Sequence, residues 1–196
     1  MINICGRYLV DDGVYADIWE MLNTSTQNLA RGEVFPTNIA PVIARDGIMA
    51  VKWGFPHWKG TGVIINARAE TASEKNMFRK PLFERRCVVL SGGFFEWSRD
   101  SGGKLGDKFL LRQPGKHLLY MAGMISIFRD AAGNEYSAFV ILTTSANDSI
   151  APIHSRMPVI LESDEQNLWI NDGGFCEYAL HRVGPELEPE LLGTVK

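Results

Sequence analysis

What this chain lacks narrows its chemistry first. Its 196 residues include only three cysteines, Cys5, Cys87 and Cys176, and four histidines. The cysteine number is odd, no pair is spaced as Cys-x-x-Cys, and no histidine stands at ligand spacing from them. Neither a disulfide framework nor a structural zinc site is expected, and the chain reads as reduced and cytosolic. Basic charge is scarce as well: 20 Lys and Arg face 23 Asp and Glu, for a net charge of −3 and a pI near 5.8. That balance excludes a protein that coats duplex nucleic acid by bulk electrostatics, so any positive groove must be built from few residues. No apolar run approaches the roughly 18 residues of a membrane span, and no basic segment followed by an apolar stretch opens the chain. Neither export nor a membrane partner is expected. Repeats, low-complexity segments and linkers are missing too, and 45% hydrophobic content is ordinary for a globular chain. One domain over 1–196 is the expectation.

What is present reads mostly as strands. Val14, Ile18, Met21 and Leu22 follow Asp11-Asp12-Gly13 at helical spacing and predict a short amphipathic helix over 12–22. Pro36 and Pro41 mark 35–41 as an ordered loop or an edge. Strands are expected over 48–55 and 63–68, with an aromatic and a lysine, Trp58 and Lys59, at the tip of the loop between them. Thr71-Ala72-Ser73-Glu74 has the form of a capping box and predicts a helix carrying Met77 and Phe78, followed by a basic cluster of Arg79, Lys80, Arg85 and Arg86. Residues 86–97 are apolar and interrupted at Gly92-Gly93, where a bulge or a close backbone approach is the usual reason. Three more strands are read over 107–112, 118–128 and 136–143, the last two joined by a turn at 130–134. Extended structure resumes over 153–161, and Ser163-Asp164-Glu165-Gln166 offers a second capping box before a helix with Leu168 and Trp169. The sum is α+β, mainly antiparallel or mixed sheet with short flanking helices.

Chemistry can be sought in three segments that share a pattern. Cys5-Gly6-Arg7, Asn66-Ala67-Arg68 and His154-Ser155-Arg156 each place an arginine two residues after a polar group. Residues i and i+2 of a strand share a face, so three such strands lining one cleft would set arginines beside reactive groups, ready to hold phosphate in a bidentate grip. Chance recurrence at strand ends is the plain alternative. Glu96 lies among Phe94, Phe95 and Trp97, a setting that suits a buried carboxylate with a raised pKa and a proton-transfer role, or else an ion pair with one of the arginines. His154 is flanked by Pro152 and Pro158, which fix backbone direction. His57, His117 and His181 have no such context and are read as surface or structural.

These residues together closely resemble the SOS response-associated peptidase (SRAP) family. The resemblance rests on six blocks in order: Cys5-Gly6-Arg7; Asn38-Ile39-Ala40-Pro41; Trp53-Gly54-Phe55; Asn66-Ala67-Arg68-Ala69-Glu70-Thr71; Arg86-Cys87 leading to Gly93-Phe94-Phe95-Glu96-Trp97; and Ile153-His154-Ser155-Arg156-Met157-Pro158. It implies a single SRAP-like domain that binds single-stranded DNA and captures abasic sites covalently, an N-terminal cysteine closing a thiazolidine ring on the deoxyribose aldehyde. Carried over, Cys5 is the crosslinking nucleophile, Asn66 orients it with the sugar, Glu96 is the acid and base, and His154 assists ring opening and proton transfer. Arg7, Arg68 and Arg156 look like phosphate-gripping residues, with Trp53 and Trp97 as apolar or stacking surfaces on the DNA. No metal or organic cofactor is called for. A monomeric, cytoplasmic protein that joins the nucleoid on damage is implied, with lyase activity as a further expectation.

Two departures stand out. Residues 1–4, Met1-Ile2-Asn3-Ile4, precede Cys5, whereas relatives expose the cysteine by losing the initiator methionine alone. Only a first-residue cysteine carries thiol and α-amine two carbons apart, so self-cleavage is expected: Cys5 attacks the Ile4 carbonyl and the resulting thioester is hydrolysed. Leu90-Ser91-Gly92 is the other, where relatives often carry a proline and a small residue, and little consequence is expected. Two further readings stay open. One is a cysteine peptidase acting in trans through Cys5, His154 and Asn66; the other is a non-covalent single-stranded DNA binding module.

Overall fold

Strands that lie between two cores show no polar alternation, and several here are apolar on both faces. The computed structural model describes residues 6–21, 29–58, 60–99 and 103–194. Strand β1 (Arg7–Val10) leads into helix α1 (Asp12–Met21), then β2 (Gly32–Val34), β3 (Ile39–Ala44), β4 (Gly47–Trp53), β5 (Phe55–Pro56), β6 (Val63–Ile64) and β7 (Asn66–Arg68). Helices α2 (Ala69–Ala72) and α3 (Asn76–Glu84) precede β8 (Arg86–Ser91), β9 (Gly93–Arg99), β10 (Leu105–Arg112), β11 (Leu119–Arg129), β12 (Glu135–Ser145), β13 (Arg156–Pro158) and β14 (Ile160–Leu161). Helices α4 (Gln166–Asn171) and α5 (Gly173–His181) and strand β15 (Glu188–Thr194) follow.

Pairing runs β12-β4-β3-β8-β11, and β11 pairs back onto β12, so five strands close a ring. Strands β7 and β13 flank the second half of β12, the first parallel to it and the second antiparallel. A separate five-stranded sheet, ordered β15-β10-β9-β1-β2, packs against the ring. The interface and ring interior hold Tyr8, Val42, Trp53, Val89, Phe94, Met121, Phe139 and Ile141. Alternate residues of the same strands, Val88, Ala122, Val140 and Leu142, point outward to a second core with Phe78, Leu82, Trp169 and Leu180 of the helices. The result is the expected sheet-rich α+β domain, with one sheet, a ring and a helical layer in that order. Among the described residues no helix is long and apolar enough to cross a membrane.

The chain changes sheet at the Gly92-Gly93 interruption, with β8 in the ring and β9 in the five-stranded sheet. At Gly93 φ is +147° and a Cβ would lie 2.7 Å from the Leu111 carbonyl oxygen, so only glycine fits. Ser91, fully buried, has more consequence than its place in the sequence suggested. Its Oγ accepts from the Gly93 N–H at 3.0 Å, lies 2.6 Å from the Gly93 carbonyl oxygen and 3.2 Å from that of Leu9, and so ties the corner to β1.

The edge reading of 35–41 holds at Pro41, which lies inside β3 opposite Ala50 of β4; pairing with β8 covers only Val42 and Ile43, so the proline stands where β3 has one neighbour. Two expectations are corrected. Thr71 caps nothing: α2 starts directly after β7, leaving Thr71 inside it, and the Lys75 N-cap of α3 has no side-chain bond. The second box fails likewise, because α4 begins only at Gln166, whose Nε2 donates to the Ser163 carbonyl at 2.9 Å, and the Glu165 N-cap makes no side-chain capping bond.

Candidate functional site

Alternation along β1 and β9 sorts the site by face. Tyr8 pairs with Phe94 and both are fully buried, so Arg7, Phe95 and Trp97 turn to the outer face of the five-stranded sheet. There the Arg7 guanidinium lies 4.7 Å from the Phe35 ring centroid and 5.0 Å from that of Trp97. The Lys108 ammonium lies 4.4 Å from Phe95 and 5.5 Å from Trp97, so the indole stands between two cations. Glu33 joins them, accepting from Arg7 at 3.2 Å and from Lys108. Partial burial opposes its ionisation, but the two cations outweigh that and hold its carboxyl below the usual range. Glu96 turns the other way. It shares the inner face with Phe94, is only 4% exposed, and sits one residue from Phe95, the partner of Arg7.

A second group gathers where β7 and β13 flank β12. Asn66 lies opposite Ile141 and Arg68 opposite Thr143 in the parallel pair, while Arg156 lies opposite Ser145 on the other side. His154, 9% exposed, donates its backbone N–H to the Ile150 carbonyl at 3.0 Å. Its Nδ1 accepts the Arg156 backbone N–H at 3.1 Å, so the neutral ring carries its proton on Nε2. Burial, together with the charges of Arg99 and Arg156, holds its pKa below the usual histidine range. The influence of Arg99, at the end of β9, puts that strand within electrostatic reach of His154.

Arg156 is not available to a ligand in this arrangement. Its Nη1 and Nη2 donate to the two carboxylate oxygens of Glu70, the second at 2.8 Å, and Nη2 also donates to the Thr143 carbonyl at 2.6 Å. The hydrogen bond from Arg156 is the first cause that holds the Glu70 carboxyl below its usual range. Arg156, expected as a phosphate grip, here holds β13, α2 and β12 together through Glu70 and Thr143. Arg68 is exposed and forms no ion pair among the described residues.

Trp53 must also be reassigned. It is fully buried, donates Nε1–H to the Ile65 carbonyl at 3.1 Å, and packs on Tyr8 and Phe139, so its ring offers no surface to DNA. Exposed aromatics that could stack lie elsewhere. Trp58 is 71% exposed and stacked on His57, and Phe35 is 42% exposed. Neither received a role from the sequence, although Trp58 sits at a loop tip between two glycine-bounded strands, the usual signal for an exposed aromatic. Cys5 lies outside the described residues. A cleft of about 350 Å³, lined by Arg45, Met49, Arg85, Ile127 and Ser137 among others, contains none of the expected site residues.

Comparison with known proteins bears on this arrangement. A family model described as SOS response associated peptidase (SRAP) matches residues 4–184. Abasic site processing protein YoqW of Bacillus subtilis (strain 168) is 36% identical over 184 residues, covering 86% of this chain and 80% of that protein. Abasic site processing protein YedK of Escherichia coli (strain K12) is 34% identical over 122 residues, covering 61% and 53%. A crystal structure of a Bacteroides thetaiotaomicron protein superposes with a TM-score of 0.82 over 96% of this chain and 92% of that one, at 24% identity, a likeness of fold.

Proposed function

The chain belongs to the SOS response associated peptidase (SRAP) family, and from that membership we propose that it captures abasic sites in single-stranded DNA through Cys5, after removing residues 1–4 itself. One observation carries the reading. Strand β1 is pinned to β9 from its first residue, Arg7 opposite Phe95, next to the buried Glu96. Cys5 is two residues upstream, and two residues of chain reach at most about 7 Å. The nucleophile and the acid are thereby tied to one pair of strands.

Self-cleavage and capture use the same groups. The Cys5 thiol adds to the Ile4 carbonyl, the amide nitrogen leaves as the α-amine, and one water hydrolyses the thioester. The abasic sugar is then opened by protonating its ring oxygen, a task for Glu96. Attack of the Cys5 amine on the aldehyde expels one water and gives an imine; the thiol adds to the same carbon, and its proton passes to nitrogen to close the thiazolidine. His154, neutral at physiological pH with its proton on Nε2, serves as a hydrogen-bond donor to a sugar oxygen rather than as the base. Asn66 orients the sugar, Arg7 and Arg68 meet phosphates, and Trp97, Phe35 and Trp58 offer stacking surfaces.

The test is a denaturing gel of the protein incubated with a single-stranded oligonucleotide bearing one abasic site. A heat-stable adduct is expected, absent in Cys5→Ala and formed about 100-fold more slowly in Glu96→Gln. An adduct of undiminished yield with Cys5→Ala would overturn the proposal. Peptide turnover without DNA would favour the peptidase reading in its place.

A further inference from the structure

We propose that Glu70 sets the affinity for single-stranded DNA by holding the guanidinium of Arg156 until a backbone phosphate takes its place; this deepens the function proposed above and rests on it. The two Nη atoms of Arg156 each meet one carboxylate oxygen of Glu70. That fork fits a phosphate in the same two-pronged way, so the carboxylate occupies the geometry a DNA phosphate would use. The Thr143 carbonyl, accepting from Nη2 at 2.6 Å, keeps the guanidinium in position whichever anion is bound. Its Nε is buried and has no hydrogen-bond partner among the described residues, leaving one donor over.

Exposure gives the direction of exchange. The Arg156 side chain is 13% exposed and that of Glu70 is 42%, so the carboxylate covers the arginine from the solvent side. Glu70 belongs to the first turn of α2, and rotation about its own side-chain bonds returns the carboxylate to water without moving β13. Arg68, the last residue of β7 and two before Glu70, is exposed and acts electrostatically on the same carboxylate. An arriving phosphate therefore meets two cations and one anion that can leave.

Charge accounting makes the idea measurable. In the native chain, a phosphate that replaces Glu70 gains Arg156 but frees a carboxylate, which takes up a cation, so little net ion release accompanies the contact. In Glu70→Gln the arginine is already uncompensated, and the same contact releases about 0.7 of a cation per phosphate on single-stranded DNA. The experiment is fluorescence anisotropy with an undamaged single-stranded oligonucleotide between about 50 and 200 mM salt. Glu70→Gln should bind about three- to tenfold more tightly at the low-salt end, with a salt slope steeper by about 0.7. Arg156→Gln placed on the Glu70→Gln background should remove the gain, and Glu70→Asp should keep the native slope. A Glu70→Gln slope equal to that of the native chain, weaker binding, a gain that survives loss of Arg156, or a Glu70→Gln chain that no longer folds would overturn the inference, the pair then being a structural clamp. Undamaged DNA needs no Cys5 chemistry. A native chain that binds it but forms no adduct with abasic DNA would sink the proposed reaction and leave this inference standing.

Discussion

Arg7 and Arg156 come from the same sequence pattern, an arginine two residues after a polar group, yet they occupy opposite surroundings. On the outer face of the five-stranded sheet, Arg7 lies over Phe35 and Trp97 with its side chain 39% exposed, and Glu33 is shared between it and Lys108. Beside the end of β12, Arg156 is 13% exposed and is the one cation in ion-pair contact with Glu70 among the described residues, while Arg68 acts on that carboxylate without pairing to it. Two cations paired to one carboxylate leave a net positive surface; one cation paired to one carboxylate makes a neutral pair. The difference teaches that spacing finds the arginines, while the carboxylates brought up by the fold decide which of them lies on a positive surface and which is held in a neutral pair. The same division separates Trp53, sealed in the ring, from Trp97 and Trp58 on the outside.

The widest split is expected between the tryptophans. Trp53→Ala removes a fully buried side chain and a buried hydrogen bond, and should cost about 3–5 kcal/mol in a urea titration. Trp97→Ala should cost about 1 kcal/mol or less in the same titration and instead weaken binding of single-stranded DNA by about 1–3 kcal/mol. Equal stability losses would erase the comparison. For the arginines, Arg156→Leu strips the buried Thr143 carbonyl of its donor and should cost about 2 kcal/mol, against less than about 1 kcal/mol for Arg7→Leu on the exposed face. Equal midpoint shifts would mean that Glu70 adds nothing that Glu33 does not.

The smallest effect sharpens the account of His154. Its folded pKa lies below the ordinary histidine value, so the unfolded chain binds the extra proton more readily. The contribution to stability is present above pH 6.5 and is lost as pH falls below that toward the depressed folded value. Stability of the native chain should therefore decline between about pH 7 and 5, and His154→Asn should flatten that part of the curve. A curve that keeps its slope in the variant would place the proton uptake elsewhere.

Much of this architecture is legible from the chain itself. Runs such as Val88-Val89-Leu90 and Val140-Ile141-Leu142 are apolar at every position because the ring separates two cores, and glycine at 93 is demanded by the Leu111 carbonyl. Glu96 is buried as its aromatic flanks suggest. Partners distant in sequence are what stay hidden. Glu70 and Arg156 are 86 residues apart, and nothing local marks their pairing. Thr71 and Ser163 carry the letters of a cap, but β7 runs straight into α2, and α4 begins only at Gln166, three residues after Ser163. Pro41, by contrast, marks an edge as expected, since a proline is tolerated in a strand where no neighbour needs its N–H.

The central claim, capture by a cysteine that the chain itself exposes, is tested most directly by an intact mass spectrum after incubation with an abasic single-stranded oligonucleotide. The account predicts a protein lighter by Met1-Ile2-Asn3-Ile4 and heavier by the oligonucleotide less one water. A full-length, unmodified mass would contradict it and leave a groove that binds DNA without reacting.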